Sequence, residues 1–374
     1  MISSKTSLLR QEMQASPAGV FAPHIFRGQG ITSHPDASHG IRRAHGIASL
    51  FAAPMPHIYK GDIVVGSIRP LWAEITPEES QAAAEACTGF RIRGFHHNGD
   101  HYAPDYDTIL TEGIPGMLSR IEASKKAHKE APDRVDFLES CRIALIGLRD
   151  RLAAYAEAAD ALVGAEGYHS ETLCQIKKNC TALCERAPVT FEEALQLVWM
   201  IHNCFVCEGR YAMALGRMDQ FLYPFFAHDT EEGTLTEEEA TELLENVFMK
   251  IYERRAYLGG DDVVNIAVGG VKPDGSDATN RLSFCILRAV GNINLPGPNL
   301  SARIAPTTPR GLPGRVPEGH RHGPGLPRPH ERRGQYRRPV PLRVCHGGRP
   351  RLLHGGVHRE LHHGYAAPVV GRPL

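Results

Sequence analysis

The sequence has no run of about 18 or more apolar residues, the length that a membrane-spanning helix requires. Residues 1–22 also lack the continuous apolar stretch and the small-residue cleavage site of a secretory signal peptide. We therefore expect a cytoplasmic protein that has no membrane partner. The nine cysteines are an odd number in a chain of 374 residues, which favours free thiols in a reducing compartment over a disulfide framework.

Residues 310–374 lack Ser, Thr, Lys, Ile, Asp, Asn, Met, Phe and Trp altogether. Arg, Gly, Pro and His supply 43 of these 65 residues. The segment carries a net charge of +10 and residues 1–309 carry −10, although the whole chain is neutral. A packed domain rarely omits so many residue types, and proline at this density interrupts helices and sheets. We therefore predict that residues 310–374 form a disordered tail.

The remaining sequence is rich in helix signals. Thr-x-x-Glu capping boxes, in which the Thr and Glu side chains bond the free N–H groups of a first helical turn, begin at Thr76, Thr190 and Thr236. Apolar residues at helical spacing indicate one long amphipathic helix between Arg134 and Leu162. The predicted helices are 77–87, 106–126, 134–162, 191–206 and 237–254.

Strand signals are fewer. Short runs rich in β-branched residues predict strands at 62–68 and 263–268, and a third strand is predicted at 299–304. Between the last two, Asp277 is predicted to cap a helix that has Leu282 and Ile286 on one face. A strand, a Gly-Gly turn, a helix and a second strand form an α/β unit. The chain is therefore predicted to be a helix-rich α/β protein.

Several short motifs follow one another in a fixed order along residues 41–309. Each is weak alone, but their order and spacing are specific, and together they resemble the pyruvate formate-lyase-like glycyl radical enzymes. The motifs are Ile41-Arg42-Arg43-Ala44, Tyr59-Lys60-Gly61-Asp62, Asn98-Gly99-Asp100-His101, Thr190-Phe191-Glu192-Glu193-Ala194-Leu195-Gln196, Gly216-Arg217-Met218-Asp219-Gln220, Asp277-Ala278-Thr279-Asn280 and Pro298-Asn299-Leu300-Ser301.

This resemblance implies a domain division and a fold. Residues 1–40 would be an N-terminal segment, residues 41–309 part of a pyruvate formate-lyase-type domain, and residues 310–374 the tail. Family members form a ten-stranded α/β barrel, so this chain would be an incomplete N-terminal portion of that barrel. The resemblance also implies a homodimer, a small polar metabolite as substrate, and a separate radical-SAM activating enzyme as partner.

Family chemistry depends on two loops that meet inside the barrel. One carries a cysteine in a Gly-Cys-Ile/Val-Glu setting, and the other carries the glycine on which the activating enzyme installs a radical. The glycyl radical converts the thiol to a thiyl radical, which abstracts hydrogen from the substrate, while the protein supplies position and excludes water. No cysteine of this sequence follows a glycine, so the cysteine loop is not present, and we expect that the glycine loop is not present either. We therefore expect a catalytically inactive chain with no bound cofactor.

The tail is compatible with the cysteine motif in another reading frame. When the reading frame is shifted by one base, the codons of residues 356–365 permit Gly-Cys-Ile-Glu-Asn-Phe-Ile-Thr-Gly-Met. The same shift permits ordinary globular sequences over residues 322–333 and 343–355. One shift thus satisfies dozens of consecutive positions, so we interpret the tail as out of frame after a slip near residues 306–310.

The resemblance also implies a substrate pocket. Asn98 and His101 would lie beside the substrate, where an amide and an imidazole can hydrogen-bond a hydroxyl or a carboxylate. Tyr211 and Ala212 would line the same pocket. Glycerol dehydratases have a His-Ser pair at these two positions, so the departure puts diol dehydration in doubt. The alternatives are a polar loop or a metal site around His101, and simple core packing of Tyr211.

Other polar and sulfur-containing motifs have structural interpretations. Arg217, Asp219 and Gln220 are expected to form an ion-pair and hydrogen-bond network rather than a catalytic group. Cys204 and Cys207 are expected to be buried free thiols, since no second Cys-x-x-Cys completes a zinc site. The rival functions are a non-catalytic helical scaffold with a basic tail and a His/Cys metalloprotein. No specific nucleic-acid partner is expected, because the tail lacks Lys, Ser and Thr.

Overall fold

A computed structural model describes residues 2–90, 103–259, 264–304 and 308, together with the backbone of residues 343–346. Helices dominate these residues and five short strands accompany them. The helices are α1 Ser4–Met13, α2 Pro23–Thr32, α3 His39–Ala52, α4 Pro77–Ala86, α5 Tyr106–Ala127, α6 Pro132–Ala161, α7 Ser170–Glu185, α8 Phe191–Cys207, α9 Met218–Phe221, α10 Tyr223–Glu231, α11 Glu237–Leu258 and α12 Arg281–Ile293. The strands are β1 Val20–Phe21, β2 Trp72–Ala73, β3 Asn265–Gly269, β4 Asn299–Ile304 and β5 Arg343–His346.

The capping boxes position the helices as the sequence predicts. In α4 and α11 the threonine oxygen accepts from the backbone N–H of the glutamate three residues later, and that glutamate accepts in return from the threonine N–H. Thr190 accepts from the N–H of Glu193 at the start of α8. The helix after β3 is capped differently from the prediction. Asn280 caps α12, whereas Asp277 accepts from Thr279 in the preceding turn.

Helices α2, α3 and α6 pack closely because glycine lies at their crossing points. A methyl group at Gly147 of α6 would lie only 2.6 Å from the Cα of Ala48 in α3. A methyl group at Gly30 of α2 would overlap the carbonyl group of His45 in α3. Non-bonded carbon atoms lie about 3.5–4.0 Å apart at optimal contact, so glycine sets these helix separations.

The predicted strand at 62–68 is wrong. Residues 58–68 form a buried irregular segment with a turn at residues 60–61, which we call the core segment, and several of its backbone groups are bonded by side chains rather than by a neighbouring strand. Gln196 of α8 accepts from the N–H of Val65 and donates to its carbonyl oxygen, each at 2.8 Å. Asn246 of α11 accepts from Ile63 and Val64 and donates to Gly61. The β-branched run thus indicates burial and not sheet pairing.

Three strands form a parallel sheet in the order β3-β4-β5, and the register pairs Asn265 with Asn299 and Gly269 with Arg303. Gly216 adds a parallel bridge to Ile266 on the other side of β3. Helix α12 connects β3 to β4, as parallel pairing requires. The helix-rich α/β class is therefore confirmed, with both predicted strands of the unit present.

The tail predicted to be disordered lies mostly outside the described residues. The exception is β5, which pairs with β4 from inside that segment. Among the described helices, none is both long and apolar enough to cross a membrane.

Candidate functional site

The β3–β4 layer has one apolar and one polar face. The side chains that point to the helices are buried; they are those of Ile266, Val268, Leu300 and Ala302. Alternate residues on the opposite face are partly exposed. They are Ala267 and four polar residues, Asn265, Asn299, Ser301 and Arg303, and we call these four the polar face. Parallel sheets are normally apolar and covered on both sides. A polar face on such a sheet therefore indicates a surface that meets a ligand or a polar cavity.

The carboxyl end of β3 turns through Gly269 and Gly270, whose φ angles are +69° and +87°. This backbone region favours glycine, because a Cβ would be strained there. Asp219, fully buried beneath the turn, accepts from the N–H of Gly269 and from the hydroxyl of Ser283, each at 2.7 Å. Burial raises the pKa of Asp219 above its ordinary value. Ligands of parallel sheets commonly bind at the carboxyl ends of the strands.

The expected network around residues 217–220 is present in part. Gln220 donates to the carbonyl oxygen of Ala278 at 2.8 Å, and Asp219 anchors the glycine turn. Arg217 donates to the carbonyl oxygen of Gly269 at 2.9 Å instead of forming an ion pair with Asp219. Burial lowers the pKa of Arg217, and the nearby charge of Arg303 lowers it further. Arg217 therefore points to the same turn that Arg303 flanks.

The predicted pocket residues Tyr211 and Ala212 follow the end of α8. The guanidinium carbon of Arg254 lies 3.6 Å from the centre of the Tyr211 ring, which is a cation–π contact. Tyr211 lines a cavity of about 20 Å³ together with His202 and Lys250. That volume is about enough for one water molecule. Ala212 is buried, and the role of both residues in substrate binding stays a prediction.

The other two predicted pocket residues, Asn98 and His101, lie outside the described residues. Ala103, two positions after His101, is described, and its Cβ would lie 3.3 Å from a methyl group placed on Gly216. Ala103 therefore packs against Gly216, which follows Tyr211 and Ala212 closely in the chain. The contact of Asn98 and His101 with a substrate stays a prediction.

A buried ionic cluster behind the cavity is the feature that the sequence interpretation missed. Lys250 pairs with Asp62 at 2.8 Å, and both side chains are inaccessible to solvent. Glu253 accepts from Tyr59, Ser67 and the N–H of Ile68. Burial raises the pKa of Asp62 to about 6, against the opposite effect of Lys250. A signal for this cluster was present, because Lys250 and Glu253 lie next to the apolar residues 247–249 and Ile251 in the sequence.

Arg151 of α6 completes this cluster. Its guanidinium donates to the carbonyl oxygens of Phe51 and Ser67 and to the amide oxygen of Asn203. Two positive and two negative side chains are thus buried together around the core segment. Their hydrogen bonds lead to backbone groups of that segment and its neighbours, so the cluster fixes the position of the core segment.

The described thiols do not form a reactive or metal-binding group. No set of three or more His, Cys, Asp or Glu side chains among the described residues could hold a metal ion. None of the eight described cysteines forms a disulfide; Cys174 is exposed, whereas Cys204 and Cys207 are buried as expected. Burial raises the pKa of Cys204 to about 12, so its thiol stays protonated at neutral pH. All eight lie on helices or at a helix end, away from the polar face.

Comparisons with known proteins give one consistent result. A family model described as pyruvate formate lyase-like matches residues 72–333. The probable dehydratase YbiW of Escherichia coli (strain K12) is 29% identical over 235 residues, which are 57% of this chain and 29% of that protein. The (2S)-3-sulfopropanediol dehydratase of Klebsiella oxytoca is 29% identical over 261 residues, which are 64% of this chain and 31% of that protein.

The fold is similar to that of solved glycyl radical enzymes. The B12-independent glycerol dehydratase from Clostridium butyricum superposes with a TM-score of 0.74 at 21% identity, covering 87% of this chain and 50% of the other. The chain thus spans about half of the solved structure and about a third of the two curated relatives. The expected fold, a partial glycyl-radical-enzyme barrel, is confirmed. The family match covers well over half of the sequence, so this chain belongs to the pyruvate formate lyase-like family of glycyl radical enzymes.

Proposed function

We propose that this chain is the N-terminal part of a radical lyase that cleaves a C–C or C–X bond in a small polar metabolite. Formate C-acetyltransferase-like chemistry belongs to the same class of reaction. The observation that carries the proposal is the polar face of β3 and β4, in a chain that belongs to a glycyl radical enzyme family. Polar side chains at alternate positions give a small polar substrate hydrogen-bond partners on a rigid wall.

The residues of this chain would bind and orient the substrate rather than perform the radical step. Asn98 and His101 are proposed to bond a hydroxyl or carboxylate group, and Tyr211 and Ala212 to shape the pocket. The family's radical glycine and reactive cysteine would supply hydrogen-atom abstraction. None of the described thiols fits that cysteine, because all lie on helices or at a helix end and none follows a glycine. We therefore assign no radical step to this chain and propose that it is inactive as encoded.

The wider setting follows from the family and is part of the same proposal. The active enzyme would be a homodimer in an anaerobic cytoplasm, and a radical-SAM enzyme would install the glycyl radical. The tail after residue 309 is proposed to be out of frame, so that the cysteine and glycine loops would appear only when the frame is restored.

Electron paramagnetic resonance tests this proposal. The 374-residue chain and a matched version with the frame restored after residue 308 are each incubated anaerobically with a radical-SAM activating enzyme and S-adenosylmethionine. We expect the doublet of a glycyl radical only from the restored version. A doublet from the 374-residue chain would contradict the proposed inactivity, and its absence from both would contradict the proposed radical chemistry.

A further inference from the structure

We propose that Arg217 and Arg303 form a binding site for the anionic group of a small molecule, at the carboxyl end of the polar face. The group is a carboxylate, a sulfonate or a phosphate. The assignment of this group to the substrate depends on the proposed function, whereas the anion site itself depends only on the geometry of the sheet.

The two arginines approach the same glycine turn from the two sides of β3. Arg217 follows the bridge residue Gly216 on one side of β3 and donates to the carbonyl oxygen of Gly269. Arg303 lies on the other side, in register with Gly269. A methyl group on Gly270 would lie 3.3 Å from the Nε of Arg303. The absence of side chains at the turn therefore leaves room for two guanidinium groups close to each other.

Both guanidinium groups retain donors that the described residues do not use. The buried Nε of Arg217 has no hydrogen-bond partner in this part of the structure. The side chain of Arg303 makes no hydrogen bond or ion pair with any described residue, whereas its backbone belongs to the sheet. A guanidinium carries five N–H donors in a planar fork, which matches the oxygen atoms of carboxylates and phosphates. These free donors are what an oxyanion would bind.

The local charge also favours an anion. Among the described residues, Asp219 is the acidic group whose charge acts on Arg217, and its Oδ2 is committed to the N–H of Gly269 and to Ser283. Arg217, Arg303 and Asp219 together carry a net charge of +1. Burial of Arg217 strengthens its interaction with an anion, because the partly buried site has a lower effective dielectric constant than water.

The site continues into polar groups suited to the rest of a small molecule. Ser301 and Asn299 precede Arg303 at alternate positions of β4, so all three belong to the polar face. A molecule whose anionic end lies between the arginines would extend its uncharged end along Ser301 towards Asn299. The bound molecule would thus have one orientation, with its anionic group at the carboxyl end of the strands.

Ligand-dependent thermal unfolding of the 374-residue chain tests the inference. The midpoint is measured against increasing methanesulfonate, acetate or inorganic phosphate at constant ionic strength, because a ligand that binds the folded state raises it in a saturable way. We expect saturable stabilisation by at least one probe, and the probe that binds most tightly names the anionic group. In Arg303→Gln the half-saturating concentration should rise at least tenfold. Arg303→Lys, which keeps the charge but loses the planar fork, should give a smaller increase.

The control is Arg134→Gln, at an exposed position of α6 that makes no ion pair with described residues. It should bind as the wild type does. Folded wild-type chain that shows no saturable stabilisation by any probe would overturn the inference, and so would unchanged binding by Arg303→Gln. Either result leaves the radical chemistry untouched, because that is tested separately by electron paramagnetic resonance.

Discussion

The ammonium group of Lys250 lies 2.8 Å from a carboxylate oxygen of Asp62, and water reaches neither side chain. Lys250 projects from α11, whereas Asp62 belongs to the core segment, which has no strand partner of its own. The pair therefore ties an irregular backbone to a helix in the centre of the protein. Buried ion pairs of this kind fix geometry more than they add stability, because desolvation offsets much of their attraction.

Removal of one partner should be costly. Lys250→Met leaves the Asp62 carboxylate buried without its counter-charge, and we expect a loss of about 3–5 kcal/mol in the free energy of unfolding. Chemical denaturation measures this loss in the free energy of unfolding. The control is Lys177→Met, which breaks the exposed pair with Asp160 at 2.8 Å and should cost no more than about 1 kcal/mol. Equal effects of the two substitutions would show that the buried pair does not constrain the fold.

The side-chain support of the core segment gives a second prediction. Gln196→Leu removes both hydrogen bonds to Val65 and leaves a buried N–H and a buried carbonyl without partners. Each such group costs about 1–3 kcal/mol, so we expect a loss of at least about 2 kcal/mol in the free energy of unfolding. Gln81→Leu, on the exposed surface of α4, is the matched control. A Gln196→Leu protein as stable as this control would contradict the prediction.

Glu192 gives a pH prediction. Burial raises its pKa to about 7, so the folded state holds its proton more tightly than the unfolded chain does. This contribution to stability is present below the ordinary pKa of Glu and is lost as the pH rises through about 7. Glu192→Gln should therefore stabilise the protein at pH 8 relative to the wild type, and not at pH 4. Urea unfolding at pH 4 and pH 8 measures the difference in stability between the variant and the wild type.

The control for this titration is Glu171→Gln, at an exposed position in α7. Its effect on stability should be smaller than that of Glu192→Gln at pH 8. If Glu192→Gln has a pH-independent effect, the carboxyl group of Glu192 does not titrate as its burial requires.

The contact between Arg254 and Tyr211 gives a fourth prediction. Tyr211→Phe keeps the ring beneath the guanidinium and should change the free energy of unfolding by less than about 0.5 kcal/mol. Tyr211→Ala removes the ring and should cost about 2 kcal/mol or more, from the lost cation–π contact and the lost packing. Thermal unfolding of both variants measures this. A large effect of Tyr211→Phe would mean that the hydroxyl, and not the ring, holds this position.

The sequence predicts most of the helices because their signals are local. Thr76, Thr190 and Thr236 cap the predicted helices, and β4 has the predicted bounds. The core segment was misread because a β-branched run looks the same whether a strand or a set of side chains bonds its backbone. Nothing local reveals that Gln196 and Asn246, more than 120 residues away, provide those bonds.

The candidate site could likewise be predicted from the sequence only in part. The motif around Arg217 and Asp219 is visible in the sequence, and so is the Gly269–Gly270 turn. That Arg303 faces the same turn depends on the register between β3 and β4, which only the folded sheet determines. The pairing of Lys250 with Asp62 was likewise hidden, because it joins positions 188 residues apart.

Sequencing of the locus from DNA tests the central claim most directly. The account predicts that a shift of one base near codon 308 opens a long frame, which carries the Gly-Cys-Ile-Glu motif and then a glycine-radical motif near its end. A locus in which the shifted frame soon terminates, or continues without those two motifs, would contradict the interpretation of this chain as the first half of a radical enzyme with an out-of-frame tail.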